Sequence, residues 1–239
     1  DLLNAKTLAE VEDIYRPFKP KRKTRAGIAK EKGLQPLADF ILAQTLASPT
    51  AEAEKYISEE KGVETVDDAI NGALDIISET VSDDADLRKK PYAEYTGHAL
   101  IVSKATDEKA ETVYKNYYDY SEALSTIPGH RILAINRGED EKFLTVKVEA
   151  PEERILRYLE KNILKDNAFT EEYLKNCIAD AYGRLIAPAI EREIRSSLTE
   201  TAEDGAIKVF GKNLEQLLLQ PPIAGKVVLG WDPAFRTDR

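Results

Sequence analysis

Methionine is absent from all 239 residues, the initiator included, and cysteine occurs once, at Cys177. The first absence reads as a piece of a longer chain. The second excludes an intrachain disulfide and any zinc site built on paired thiolates, and makes a reducing cytoplasm the default compartment. No run of about 18 uncharged apolar residues occurs, and the amino terminus has no basic-then-apolar leader, so neither membrane insertion nor secretion is indicated. No His-x-x-x-His pair offers metal ligands and no glycine-rich phosphate loop follows a strand, so no cofactor is expected. The acidic clusters Asp83-Asp84-Asp86 and Glu152-Glu153 read as helix starts, not as acid/base pairs.

What the chain does have is charge and helical periodicity. Its net charge of −9 argues against wrapping nucleic acid with the whole surface but leaves room for a local patch. From Pro188 to Gln220, apolar residues such as Ile190, Ile194, Leu198, Ala202, Phe210, Leu214 and Leu217 recur at three- and four-residue steps. That is one long amphipathic helix, bounded by Pro188 and Pro221-Pro222 and running ~50 Å at ~1.5 Å per residue. Lys226-Val-Val-Leu-Gly-Trp231 then reads as a buried strand.

Earlier elements follow from caps. Thr7-Leu-Ala-Glu10 starts a short helix that Pro17 ends, and Thr24 caps another that Gly33 closes. Pro36, Ser48-Pro49, Thr65-Val-Asp-Asp68 and Ser82-Asp-Asp84 mark further starts. Lys89 to Lys104 lacks a period and reads as a connection, with an extended piece at Ala99–Val102. Thr106-Asp-Glu108 opens a helix whose end carries Tyr114, Tyr117, Tyr118 and Tyr120, and Pro128 opens a shorter one that Gly138 stops. From Phe143 the rhythm becomes two, with Leu144, Val146 and Val148 on one face of a half-buried strand. Pro151 and Thr170 start two more helices, the second carrying Cys177 on an apolar stripe where it is expected buried and inert.

Three segments carry a resemblance to a known family. Val11-Glu-Asp-Ile-Tyr-Arg-Pro-Phe-Lys-Pro-Lys-Arg-Lys-Thr-Arg-Ala26 is the first; the second is Tyr117-Tyr-Asp-Tyr-Ser121 with Pro128-Gly-His-Arg-Ile-Leu-Ala134; the third is Val228-Leu-Gly-Trp-Asp-Pro-Ala-Phe-Arg-Thr237. Together they resemble the bacterial Tex transcription accessory proteins, in the family's order and over nearly the whole chain. The resemblance implies a mainly α fold: a multi-helical orthogonal bundle with a helix-turn-helix-like element, a short β segment and one long connecting helix. It also implies that the first strand of a YqgF-type, RNase H-like α/β domain follows. The implied domains are residues 1–187 (amino-terminal helical region), 188–222 (connecting helix) and 223–239 (start of the YqgF-type domain). Its carboxy-terminal RNA-binding module falls outside these residues.

Function on this reading is non-catalytic nucleic-acid binding in transcription, in the cytoplasm, with RNA or DNA as partner and RNA polymerase or the ribosome as protein partner. The candidate contacts are Arg16, Lys19, Lys21, Arg22, Lys23 and Arg25 in a proline-straightened strap, where cations neutralise phosphates without reading sequence. His130, Arg131 and Arg137 beside the tyrosine cluster extend them, since rings and guanidinium groups stack on unpaired bases. The plain alternatives are a strap whose arginines pair with acidic helices, a His130 that only starts a helix, and tyrosines that only pack. Two rival functions stand. Asp232 sits where an RNase H-like nuclease places its first metal carboxylate, although one carboxylate cannot hold two metals, and the region could instead only dock proteins.

Overall fold

The computed structural model describes residues 23–221 and 224–231, with Val11, Tyr15 and Phe18 as single positions. In chain order the helices are α1 (Arg25–Glu31), α2 (Gln35–Ala43), α3 (Pro49–Ala53), α4 (Val66–Asp83) and α5 (Ala85–His98). Strands β1 (Leu100–Ala105) and β2 (Asp119–Ala123) follow, then α6 (Gly129–Asp140), β3 (Leu144–Glu149), α7 (Glu152–Ile163) and α8 (Glu171–Asp180). A π-helical turn, Ala181–Ile186, leads into α9 (Ala187–Leu218). The fold is mainly α with a small antiparallel sheet, as the resemblance implies.

Helix α4 is the hub. Thr65 accepts from the Asp68 amide and the Asp68 carboxylate accepts from the Thr65 amide, a reciprocal cap that fixes its start. Ala69, Ile70, Ala73, Ile76, Ile77 and Val81 are all buried, and α1, α2, α8 and the π turn pack around them. At the other caps, Thr24 accepts from Gly27 N at 2.9 Å, Gly33 closes α1 at φ +83°, and Asp84 accepts from the Asp86 and Leu87 amides. These are the residues whose short polar side chains or missing Cβ suit the positions.

The sheet has the order β2-β1-β3, with Ile101 facing Glu122 on one side and Val148 on the other. Leu144 and Val146 are buried while Thr145 and Lys147 are exposed, the two-residue rhythm read from the sequence. Helix α6 closes over this layer. A Cβ at Gly138 would sit 2.6 Å from Leu144 Cδ1 and 3.2 Å from Tyr114 Cδ1, so the close approach of helix to strand depends on that glycine, which lies within α6 and does not end it.

Three expectations are corrected. Residues 89–98 are not a connection but the body of α5. Its buried face is Arg88, Pro91, Glu94 and Tyr95, so the period is present but two of its four positions are charged and one is a proline. Arg88 is 1% exposed and faces Glu193 of α9 at 3.9 Å, while Glu94 receives Lys90 at 2.7 Å and Arg154 at 3.5 Å. The extended piece that begins at Ala99–Val102 does form, as β1.

Second, Thr106 to Tyr120 is not a helix. Asp107 accepts from Lys109 N at 2.9 Å in a local turn, Tyr118 Oη donates to Ala110 O at 2.6 Å, and β1 draws the chain back through Ala105 N to Tyr118 O at 2.8 Å. An acidic cap signal has been used to make a turn. Third, residues 226–230 form no strand. A strand takes its hydrogen bonds from a neighbour, and among the described residues none lies beside this segment.

The long helix starts differently from the expectation. Pro188 is in the first turn of α9, but the chain arrives already helical through α8 and the π turn. Tyr182 of that turn meets Tyr95 of α5, hydroxyl to hydroxyl at 3.3 Å. At the far side of the bundle, Gln44 in left-handed conformation and Asn167 lock α2 to the α7–α8 loop. Asn167 Nδ2 donates to Gln44 O at 2.6 Å and Thr45 O at 2.9 Å, and Gln44 Nε2 donates to Ile163 O at 2.7 Å.

Two substitutions test this packing. Asn167→Ala strands two carbonyls and should lower unfolding free energy by about 1–3 kcal/mol; Gly138→Ala, which overpacks the α6–β3 contact, should cost a similar ~1–3 kcal/mol. Denaturant titration should show both as a lower midpoint with unchanged slope; wild-type midpoints for both would mean that neither contact is built as described.

Candidate nucleic-acid interface

Of the six strap cations, Arg16, Lys19, Lys21 and Arg22 lie outside the described residues, as does Asp232. Lys23 and Arg25 are described, and both are exposed. Lys23 Nζ stands 3.9 Å from Glu31, with both side chains largely in water, a pairing too open to hold the charge in place. Arg25 lies on α1 beside an acidic cluster on α4 and α8, close enough to favour the ionised forms of Asp75 and Asp180.

That cluster is centred on Arg184 of the π turn, which donates to Asp180 at 2.6 Å and Asp75 at 3.1 Å. The two carboxylates respond in opposite directions. The Arg184 hydrogen bond holds Asp180 below its ordinary range, whereas burial outweighs Arg184 at Asp75 and raises it. Arg25 and Lys23 are thus both exposed cations, each with carboxylates nearby.

The second group of candidates is brought together only in part. Arg131 leaves the base of α6 toward β2, donating to Glu122 Oε2 at 2.9 Å and Tyr120 Oη at 3.1 Å. Its guanidinium carbon lies 5.8 Å from the Tyr120 ring centre, and Tyr117 packs edge-on to the same ring at 5.3 Å. Tyr120 Oη also donates to Glu122, and this bond with that of Arg131 holds the Glu122 carboxyl low. The guanidinium is thus held by protein through Nη1, while 40% of the side chain stays exposed. Arg137 is more open, three-quarters exposed, with Glu141 at 3.8 Å.

His130 lies near enough to Glu122 to favour its ionised form, and it also borders a second surface. It stands at the mouth of an apolar groove of about 660 Å³ between the start of α6 and α9, lined by Leu133, Leu198, Ala202, Ala206 and Phe210 among others. Gly129 sets the approach: a Cβ there would lie 3.1 Å from Ala202 Cα. Asn136 donates to Thr199 Oγ1 at 2.8 Å and Arg195 pairs with Glu139, so the crossing of α6 on α9 is pinned by polar contacts below the groove.

Sequence reasoning missed one cluster of basic residues. Lys90, His98 and Arg154 converge on the buried Glu94 carboxylate, and the Lys90 ammonium foremost keeps that carboxyl below its ordinary range. The spacing Lys90, Glu94, His98 is visible in the sequence as one helix face, but only if residues 85–98 are recognised as helix.

Among the described residues no group of three His, Cys, Asp or Glu is placed to hold a metal ion, and no helix is long and apolar enough to cross a membrane. Cys177 is 2% exposed, with Ser78 Oγ 3.1 Å from its sulfur. Burial pushes its thiol up to about 11, from an ordinary 9.0. At pH 8 the folded protein should hold roughly 100-fold less thiolate than the unfolded chain, because below the pKa the thiolate fraction falls about tenfold for every unit by which the pKa rises. Labelling by a thiol-disulfide reagent should therefore follow the rate of unfolding; labelling in seconds without denaturant would show the thiol to be accessible.

Residues 44–210 match the model of a family described as Tex central region-like. Over its length the chain is 51% identical to the Bacillus subtilis protein YdcI, covering 96% of this chain and 33% of that one. It is 33% identical to the transcriptional accessory protein Tex of Neisseria gonorrhoeae, covering 95% and 31%, and 32% identical to the human S1 RNA-binding domain-containing protein 1, covering 98% and 25%. The chain spans about a third of the length of the bacterial relatives.

Proposed function

The chain belongs to the Tex family, and from that premise we propose that it is the helical region of a nucleic-acid-binding transcription accessory factor that acts without catalysis in the cytoplasm. The observation that carries the reading is the run Arg16–Arg25, six cations in ten residues within a chain of net charge −9. Of the other arginines singled out above, Arg131 donates to Glu122 and Tyr120; Arg25, within the run, is exposed with Asp75 and Asp180 in its electrostatic neighbourhood. Phosphate contact on this reading falls to Arg16, Lys19, Lys21, Arg22 and Lys23, with Arg137 as a further exposed cation.

Such contact is electrostatic and sequence-independent. Its strength comes from releasing counterions, so it weakens linearly in log salt. The relatives' names, one a transcriptional accessory protein and one an S1 RNA-binding domain protein, favour RNA as the ligand and transcription as the setting. RNA polymerase and the ribosome are the protein partners this reading admits.

The test is fluorescence anisotropy with single-stranded RNA, single-stranded DNA and duplex DNA across a salt series. Reversing the charge of Lys21, Arg22 and Lys23 should weaken binding to all three. On single strands it should reduce the log–log salt slope by about 2, at ~0.7 per lost phosphate contact. An unchanged slope would remove the strap from the interface. Asp232→Asn should leave binding as it is, and Mg²⁺-dependent cleavage that vanishes in this variant would replace the reading by a nuclease.

A further inference from the structure

Helix α7 sorts its residues by charge. Ile155 and Leu159 are buried in the core, while Arg154, Arg157 and Lys161 are exposed and, at ~100° per residue, fall within about 60° of one another on the outer side. That is roughly one cation per turn. Lys165, exposed just past the end of the helix, joins Arg157 and Lys161 around an open pocket of about 360 Å³. The end of this ridge is fixed in place, because Lys165 N donates to Gln44 Oε1 at 2.7 Å.

Among the described residues, the side chains of Arg157 and Lys161 enter no ion pair and no hydrogen bond. Exposed cations elsewhere on the surface do, Lys55 with Glu52 at 2.6 Å and Lys89 with Asp86 at 2.7 Å. Like charges three or four residues apart on a helix repel, and α7 holds three of them together. The nearby carboxylates are largely engaged by other cations. Glu171 pairs with Lys175 at 2.7 Å and Glu160 acts on the same ammonium, while Glu94 draws on Lys90 and Arg154. Asp166 is the remaining acid of the pocket.

We propose that Arg157, Lys161 and Lys165, with Arg154 at the near end, form a second phosphate-contacting surface that takes the backbone of single-stranded RNA. It rests on the nucleic-acid reading above and adds to it a site in residues other than the strap's. A bound anion relieves the repulsion along the ridge, and the regular step of one cation per turn suits a polymer with a phosphate at every residue. Tyr158, half-buried, lies four residues after Arg154 and three before Lys161, so it borders the same stripe. An aromatic ring beside a line of cations is the pairing that single-strand surfaces use, the cations for phosphates and the ring for a base. Contacts of this kind fix the path of the strand and read no sequence.

Lysine footprinting on the full-length natural protein tests it, with oligouridylate as the probe and an amine-acetylating reagent read by mass spectrometry. Saturating oligouridylate should slow the labelling of Lys161 and Lys165 severalfold and leave Lys147, exposed on β3, unchanged. The double variant Arg157→Gln, Lys161→Gln removes two exposed charges with no side-chain partner. It should lower the log–log salt slope for oligouridylate by about 1.4, at ~0.7 per lost phosphate contact. If oligouridylate binds while Lys161 labels at its free rate, or if the double variant keeps the wild-type slope, the ridge is overturned and the strap stands. A wild-type protein that does not bind oligouridylate at low salt overturns both. Polyglutamate that shields Lys161 and Lys165 where oligouridylate does not also overturns the proposal, and assigns the ridge to an acidic protein segment.

Discussion

Burial of the inward face of α4 is the constraint on which the rest of the bundle depends. Its small and branched residues, Ala69, Ile70, Ala73, Ile76 and Ile77, let four other helical segments reach the same axis. Alanines at two of these positions allow close approach, and the isoleucines fill the space between helices in few rotamers. Everything peripheral is then set by how it meets this helix: α1 and α2 from the amino side, α8 and the π turn from the carboxyl side. The Gln44–Asn167 contacts join those two sides directly, so the chain's early and late halves form one core.

Electrostatics follow from the same packing. Charged residues that enter the bundle are matched: Arg88 with Glu193, Glu94 with Lys90, Arg154 and the His98 ring, Arg184 with two carboxylates. Removing one partner of a buried pair leaves an uncompensated charge, which is why such groups hold their orientation even when the pair itself adds little net stability. Cations that answer to interior carboxylates are poorly placed to release counterions from nucleic acid. The charge left for a ligand is therefore peripheral, on the strap, on the outer side of α7 and at exposed ends such as Arg137. Helix α9 carries the opposite resource, apolar surface outside the core.

Much of the architecture was legible. Helix starts at Thr24, Thr65 and Asp84 announced themselves because a capping side chain acts on amides two or three residues away, a local interaction that sequence spacing records. The alternation at Leu144–Val148 was equally local. Helix α5 was missed because its buried positions are an arginine, a proline, a glutamate and a tyrosine, so a reading based on apolar period had nothing to find. Thr106–Tyr120 was misread for the converse reason: Asp107 served a turn, and the strand pairing of β1 with β2, a non-local contact, decided against helix. The candidate site divided the same way. The cationic run was visible as composition, but that Arg131 is engaged by Glu122 while His130 lies between Glu122 and an apolar groove depended on β2 and α9 being where they are.

By itself, then, the sequence determined what acts over a few residues or through bulk composition: caps, the α9 stripe, the inert thiol at Cys177, the basic run and the resemblance to Tex proteins. Only the tertiary structure decided which charges are engaged and which are open. Charge pairing is a matter of distance between elements far apart in the chain, such as Arg88 and Glu193, separated by over a hundred positions. It also decided that the long helix is half core and half surface, because periodicity records that a face is apolar but not what covers it.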